Sequence, residues 1–166
     1  FRIALSGRPG PVHIDLPQDV QAETIDAKVP DPEKHKVSSR ILGDLECIRR
    51  AVDLLWETKR PSILVGGGVM LSEAWQEMRE IAEYLGAPVV TTVQGKGAMP
   101  EDHPLCALYG GSNASICGNK VNQNADVILA VGCRFAEWTC SSYKPGETFN
   151  IPPTKLIHVD IDPREL

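Results

Sequence analysis

Glycine-bearing turns follow four short apolar segments, and this recurring pattern constrains the fold more than any other feature of the chain. In the clearest case, the apolar run Pro61–Val65 stops abruptly at Gly66, Gly67 and Gly68. Such a run predicts a buried parallel strand whose carboxyl end enters a tight turn. The other turns carry Gly95 with Gly97, Gly110 with Gly111, and Gly132. Glycine leaves the backbone bare there, so a ligand or a packed helix can approach it closely.

Helix-like segments separate the predicted strands. Apolar residues at spacings of three and four predict a helix that is capped by Asp44 and ends before Pro61. A second helix is predicted from a cap at Ser72 to Gly86, and a modest third covers residues 113–122. The predicted strands cover residues 61–65, 88–92, 105–109, 126–131 and 155–159. Strands and helices that alternate with short connections predict the α/β class, with a doubly wound, Rossmann-like parallel sheet.

The first 40 residues differ from the rest. Residues 1–5 are typical of the last turn of a helix that is closed by Ser6 and Gly7. Residues 12–16 alternate apolar and polar side chains, as a half-exposed edge strand does. Residues 17–40 are rich in Pro, Asp, Glu, Lys and Ser, which predicts an extended linker.

These patterns predict a compact domain over residues 40–166, preceded by residues 1–39 as the tail of a neighbouring domain plus a linker. Residues 137–153 show no clean period, so we expect a long loop there. Asp162 is expected to cap a helix that opens at Pro163. Because the sequence opens on Phe rather than on an initiator Met, we expect it to be a piece of a longer polypeptide.

Charge and composition exclude several classes of function. The formal net charge is -5, whereas a nucleic-acid partner requires a clustered surplus of Lys and Arg. No apolar run approaches the roughly 20 residues that cross a bilayer, so we expect no membrane partner and a cytoplasmic protein. The five cysteines form no Cys-x-x-Cys, so we expect reduced, mostly buried thiols rather than disulfides or a zinc site.

Few side chains in the sequence indicate a catalytic or ligand-binding role. Gly-x-Gly-x-x-Gly is absent, which weakens a prediction of NAD-dependent hydride transfer. Asp160 and Asp162 follow the last predicted strand and could bind ribose hydroxyls, although helix capping by Asp162 is an equally good explanation. Arg134 could reach a phosphate or stack on a flat ring, or else form a surface salt bridge. We find no nucleophile, paired carboxylates or metal-ligand spacing, and the histidines are scattered at His13, His35, His103 and His158.

The glycine turns themselves have two interpretations. If the strands are adjacent, their carboxyl ends meet along one edge, where main-chain N–H groups could hold the pyrophosphate of a dinucleotide. The plainer alternative is that each glycine lets a helix pack closely on a strand. Both interpretations remain open at the level of the sequence.

Five segments form a recognisable combination, in the order 6–17 (SGRPGPVHIDLP), 66–68 (GGG), 91–97 (TTVQGKG), 132–135 (GCRF) and 158–163 (HVDIDP). Together they resemble thiamine-diphosphate-dependent enzymes of the acetolactate synthase type. The resemblance spans nearly the whole chain and covers the central domain of that family, preceded by the tail of the pyrimidine-binding domain. It implies a six-stranded Rossmann-like domain that braces a dimer and, in acetolactate synthases, carries a structural FAD.

The resemblance also implies which residues contact the cofactor. The FAD contacts would fall on Arg8, Gly66, Gly67, Gly68, Thr92, Gln94, Gly95, Gly110, Gly132, Arg134, Phe135, Asp160 and Asp162. The catalytic glutamate and the Gly-Asp-Gly segment that holds magnesium and diphosphate belong to the flanking domains, so no catalytic or metal-binding residue is expected here. Acetolactate synthases tend to have two aspartates after Arg-Phe, whereas this chain has Ala136 and Glu137; relatives without FAD bind ADP there or leave the site empty.

The parent protein implied by this resemblance is a carboligase or decarboxylase that acts on a 2-oxo acid with thiamine diphosphate and Mg²⁺. It would be a homodimer or homotetramer, and the present residues would supply architecture and a site for FAD or ADP without turnover of their own. The alternative is a non-catalytic FAD- or nucleotide-binding module similar to electron-transfer flavoprotein domains. A sirtuin-like deacylase shares the broad fold, but the paired Cys-x-x-Cys zinc module is absent.

Overall fold

The computed structural model describes residues 2–35 and 41–166. Contacts divide the chain into two units, Phe1–Leu42 and Gly43–Leu166, and each is described by itself. The predicted boundary at residues 39 and 40 lies outside the described residues and stays a prediction.

The described residues of the first unit form short helical segments: α1 (Arg2–Leu5), α2 (Gln18–Ala22) and a 3-10 turn (Pro32–His35). The predicted end of a helix before Ser6 is confirmed, because Gly7 follows α1 in the left-handed region at φ 59°. The predicted linker is interrupted by α2 and the 3-10 turn, and its residues 36–40 lie outside the described residues.

The prediction of an edge strand at residues 12–16 is wrong. These residues form no strand, and their apolar side chains Val12, Ile14 and Leu16 are exposed. Alternation of apolar and polar residues stabilises a strand only when a neighbouring strand supplies hydrogen bonds and a face to bury. Within the described residues of this unit no such strand is present.

The second unit is built on a five-stranded parallel sheet with the strand order β3-β2-β1-β4-β5. The strands are β1 (Pro61–Val65), β2 (Val89–Thr91), β3 (Cys106–Tyr109), β4 (Val127–Val131) and β5 (Lys155–Val159). From β1 the chain builds outward to β3, then returns to the other side of β1 to form β4 and β5. This order confirms the predicted doubly wound α/β fold. The resemblance implied six strands, of which the described residues form five.

Five helices accompany the sheet: α3 (Leu45–Glu57), α4 (Gly67–Leu71), α5 (Trp75–Leu85), α6 (Ile116–Asn124) and α7 (Glu137–Cys140). Asp44 caps α3 as predicted, since its Oδ1 accepts a hydrogen bond from Cys47 N at 2.9 Å. Gly86 ends α5 in the left-handed conformation, which also confirms the prediction. No helix in the described part of the chain is long and apolar enough to span a bilayer.

Three local predictions require correction. Ser72 does not cap a helix; it ends α4, which forms directly after β1, and α5 begins after Ala74 without a side-chain cap. The predicted loop at residues 137–153 contains the short helix α7. No helix is formed at residues 163–166; these residues adopt a turn, in which the Asp162 carboxylate accepts a hydrogen bond from Arg164 N at 3.1 Å.

The central strand separates two apolar layers. Ile63 and Val65 of β1 face a core that includes Met78 of α5, whereas Leu64 faces a second core that includes Ile128. Successive side chains of a strand point to opposite faces, so a strand buried on both sides reads as a continuous apolar run. This packing on both faces explains why β1 could be predicted from its continuous apolar run.

Asp126 connects three segments at the amino ends of the strands. Its carboxylate accepts hydrogen bonds from Thr58 Oγ1, from Lys59 N and from Arg60 N, the last two at 3.0 Å. Its carbonyl accepts a hydrogen bond from Lys155 N at 2.9 Å. Burial raises the pKa of Asp126, but the hydrogen bonds outweigh burial and lower it to about 2.

Asp126→Asn is expected to lower the free energy of unfolding at pH 7 by about 1–2 kcal/mol, because two backbone N–H donors lose a charged acceptor. The pKa of Asp126 in the folded state lies below its unfolded value of about 4. Its stabilising contribution is therefore present above pH 4 and is lost as the pH falls toward 2. Urea unfolding followed by circular dichroism should show the wild type and variant converging between pH 5 and pH 2.

The matched control is Asp53→Asn on the exposed surface of α3, where stability should stay within about 0.5 kcal/mol of wild type. An equal loss in both variants, or a difference that persists unchanged to pH 2, would contradict this role for Asp126.

Candidate functional site

The predicted glycine turns lie along one edge of the sheet in the second unit. Because all five strands are parallel and paired side by side, their carboxyl ends point the same way. The turns are linked by hydrogen bonds between neighbouring strands: Gly66 N donates to Val131 O at 2.9 Å and Gly132 N donates to Val159 O at 2.8 Å. The carboxyl edge is therefore continuous across β1, β4 and β5.

The turns after β1 and β4 are in direct backbone contact. A Cβ on Gly66 would lie 2.0 Å from Gly132 O, and a Cβ on Gly68 would lie 2.6 Å from Gly132 Cα. Gly132 also has φ 57°, in the left-handed region. These three glycines are thus required by the packing of the chain on itself, whether or not a ligand is bound.

The turn after β2 packs on the end of β1 in a similar way. Thr92 N donates to Val65 O at 2.8 Å, and Thr92 Oγ1 accepts a hydrogen bond from Gly95 N at 3.1 Å. A Cβ on Gly95 would lie 2.2 Å from Val65 O. Gln94 is exposed, and its Cβ lies 3.0 Å from the place that a Cβ on Gly67 would take. Thr92 and Gly95 hold the turn, while Gln94 stays open to solvent.

The end of β3 depends on two asparagines that the sequence analysis did not single out. Asn119 accepts from Gly111 N at 2.9 Å and donates to Gly111 O at 3.0 Å. Asn122 is fully buried, and a Cβ on Gly110 would lie 3.0 Å from its Nδ2. Ser115 caps α6, since its Oγ accepts a hydrogen bond from Gly118 N at 2.9 Å. No signal in the sequence distinguished these amides from ordinary helix-surface residues.

A cavity of about 190 Å³ opens beside the ends of β2 and β3. Thr91 and Tyr109, the last residues of the two strands, line it together with Leu108. Lys96 also lines it, and its Nζ lies 3.0 Å from Glu101 Oε1. The carboxyl edge thus includes a recess on the side of the sheet away from β4.

The turn after β4 carries the exposed side chain of Arg134. In the part of the chain that the structure describes, no carboxylate pairs with this guanidinium. The predicted alternative of a surface salt bridge is therefore not observed among the described residues. Phe135, the next residue, instead packs inward, with its ring edge-on to Phe149 at 5.5 Å and to His158 at 5.2 Å between centroids.

The turn after β5 contains the two predicted aspartates, which differ in their surroundings. Asp162 is 5% exposed, and its carboxylate accepts hydrogen bonds from Arg164 Nε at 2.9 Å and Nη2 at 2.7 Å. Asp160 is half-buried, and its Oδ1 accepts a hydrogen bond from Asp162 N at 2.9 Å. Asp160 is therefore better placed than Asp162 to meet a ligand at this edge. The predicted contact Arg8 belongs to the first unit.

Burial disfavours the thiolate form of two cysteines near the edge. Burial raises the pKa of Cys133 and of Cys140 to about 11, so both stay protonated at neutral pH. All five cysteines are free as expected, but only these two are buried, whereas Cys47 and Cys117 are exposed. The expectation of mostly buried thiols is wrong, because two of the cysteines lie on the outer faces of helices.

Comparisons with known proteins identify relatives over the entire chain. The family model described as "Thiamine pyrophosphate enzyme, central domain" matches residues 48–166. A probable acetolactate synthase large subunit of Methanocaldococcus jannaschii is 42% identical over 170 residues, which cover 100% of this chain and 28% of the relative. The acetolactate synthase large subunit of Corynebacterium glutamicum is 38% identical, covering 100% of this chain and 26% of the relative.

A third relative, the acetolactate synthase isozyme 1 large subunit of Escherichia coli K12, is 36% identical over 100% of this chain and 28% of its own length. The chain therefore spans less than a third of the length of these relatives.

Gly66→Ala is expected to destabilise the second unit by about 3 kcal/mol or more, because the added Cβ would lie 2.0 Å from backbone that cannot move independently. Thermal unfolding followed by circular dichroism measures the effect. Gly43→Ala is the matched control, since its Cβ would make only an ordinary contact with Ile48 Cδ1 at 3.5 Å. Equal melting temperatures for the two variants would show that the turns can separate.

Proposed function

Since the chain belongs to the thiamine pyrophosphate enzyme family, we propose that it is the central structural and nucleotide-binding domain of a thiamine-diphosphate-dependent enzyme. The parent protein is a carboligase or decarboxylase of a 2-oxo acid, similar to acetolactate synthase. The names of the relatives support this activity. Because the chain spans less than a third of their length, the activity is assigned to the parent and not to these residues.

Within that parent, the domains divide the work. Thiamine diphosphate, bound with Mg²⁺ by the flanking domains, supplies the electron sink for chemistry at the 2-oxo group. The 166 residues contain no Gly-Asp-Gly segment, and the buried thiols Cys133 and Cys140 stay protonated at neutral pH. This domain contributes architecture in a cytoplasmic homodimer or homotetramer, together with a nucleotide site.

The observation that carries the nucleotide site is the exposed Arg134, which has no acidic partner among the described residues. It lies two residues after Gly132, where the order of the strands reverses between β1 and β4. Ligands of doubly wound folds bind at the carboxyl edge beside such a reversal. A guanidinium there can hold a diphosphate through charge-assisted hydrogen bonds.

The other contacts of the proposed site are the exposed or half-buried groups along the same edge: Gln94, Gly67 and Asp160. Asp160 could accept hydrogen bonds from ribose hydroxyls. The edge is shaped by close packing at Gly66, Gly68, Gly95, Gly110 and Gly132 and by the hydrogen bonds of Thr92, and Phe135 supports it from within. Both FAD and ADP carry the ribose and diphosphate that this arrangement fits.

The first test concerns activity. The full-length parent is expected to consume pyruvate only when thiamine diphosphate and Mg²⁺ are present, whereas the 166-residue chain shows no turnover under the same conditions. Consumption of the 2-oxo acid is followed by a coupled assay. Turnover by the isolated chain would contradict the assignment of the activity to the flanking domains. A parent that is inactive toward several 2-oxo acids while still binding FAD would favour the non-catalytic flavin module instead.

The second test concerns the nucleotide. Calorimetric titration of the chain with ADP and with FAD should detect binding, and Arg134→Gln should weaken it roughly tenfold to a hundredfold, because one charge-assisted hydrogen bond contributes roughly 1.5–3 kcal/mol. Arg49→Gln on the exposed surface of α3 is the control and should leave both affinities unchanged. Undetectable binding of both nucleotides by the wild type would remove the proposed site.

A further inference from the structure

The turn at residues 132–135 is held on both sides of Arg134. His158 Nε2 lies 2.7 Å from Cys133 O, and because a carbonyl oxygen only accepts, His158 Nε2 carries the proton and donates it. On the other side, Phe135 O accepts hydrogen bonds from Tyr143 Oη at 3.0 Å and from Cys140 Sγ at 3.2 Å. The peptide group before Arg134 and the peptide group after Phe135 are therefore both held by hydrogen bonds, one on each side of Arg134.

Phe135 adopts a backbone conformation that needs support from its surroundings. Its φ is 51°, in the left-handed region, where a bulky non-glycine residue is disfavoured. The edge-on contacts of its ring with His158, at an interplanar angle of 90°, and with Phe149, at 66°, hold it there. His158 thus acts on the turn twice, through a hydrogen bond and through its ring.

Arg134 is the residue that these contacts leave open to solvent. Cys133 is buried, Phe135 is half-buried and packed, and Gly132 has no side chain. The fixed backbone consequently limits the positions that the Arg134 guanidinium can occupy at the carboxyl edge. Fewer positions mean a smaller loss of conformational entropy when a ligand is bound.

We infer that His158 is a positioning residue: it holds the turn at residues 132–135 so that Arg134 is presented to the diphosphate of the nucleotide. The inference rests on the proposed nucleotide site. His158 is one of four scattered histidines, and its alternation within β5 made it resemble an ordinary sheet residue. It touches the turn rather than the ligand, so its effect on binding should pass through Arg134.

The test compares ADP with adenosine, which lacks the diphosphate. His158→Leu removes the donor, and the affinity for ADP should fall roughly fivefold to tenfold while that for adenosine is unchanged. His158→Gln keeps an N–H donor of similar reach and should restore most of the affinity for ADP. His158→Asn is polar but too short to reach Cys133 O, and it should behave like His158→Leu even if the latter folds poorly.

A double-mutant cycle separates positioning from a general structural effect. The Arg134→Gln/His158→Leu variant should bind ADP no more weakly than Arg134→Gln alone, because the histidine has no route to the ligand once the guanidinium is gone. His103→Leu is the control. His103 lies in the segment before β3, and its Nε2 is 3.2 Å from Glu83 Oε1, so the substitution should leave the affinity for ADP unchanged.

The outcomes separate a failure of the role of His158 from a failure of the proposed nucleotide site. If the wild type binds ADP but the two losses multiply in the double variant, or if His158→Leu weakens adenosine equally, then His158 is merely structural and the inference is overturned. The inference also falls if Arg134→Gln binds ADP as tightly as the wild type. If the wild type binds neither ADP nor adenosine, the nucleotide site itself is wrong, and the inference falls with it.

Discussion

The close approach of the β1 and β4 turns is the constraint on which the carboxyl edge depends. Gly66 and Gly68 meet Gly132 at distances that leave no room for a Cβ on any of the three. This contact allows the hydrogen bonds of the sheet to continue to its last residues, with Gly68 N donating to Gly132 O at 3.0 Å. The reversal of strand order is consequently tight, and the segments that follow both strands start from fixed positions.

The contact between the β1 and β4 turns determines where the polar groups of the edge lie. Thr92 attaches the β2 turn to the end of β1, and His158 attaches the β4 turn to β5. Each attachment directs a side-chain or main-chain group toward another part of the protein. The side chains of Arg134 and Gln94 stay exposed to solvent, because the packing of the turns does not involve them.

Much of the fold could be predicted because its signals are local. A few neighbouring residues are enough to predict the local structure at the apolar run of β1, at the Asp44 cap and at Gly86, which ends α5. Residues 12–16 were misread because strand formation depends on a partner that a pattern cannot supply. Ser72 was misread because the turn after β1 enters α4 at once, and tertiary contact with Gly132 rather than capping sets where that helix begins.

The candidate site was predictable only in outline, for a related reason. Parallel strands that end in glycine must share an edge, so the position of the site followed from the fold class. The roles of single residues did not follow, because they depend on pairings across the sheet: Asp162 is engaged by Arg164, and Phe135 is turned toward His158. The hydrogen bonds of Asn119 and His158 could not be predicted, since their partners lie in other segments.

Because of the same geometry, the presence of the glycines does not identify a ligand. A backbone that must touch another backbone requires glycine with or without a cofactor, so the triplet after β1 is compatible with FAD, with ADP and with an empty edge. Main-chain groups also lack the charge and shape that distinguish one nucleotide from another. Preference for one ligand over another must therefore come from side chains that the packing leaves free, and the charge of Arg134 favours ligands with a diphosphate over ligands without one.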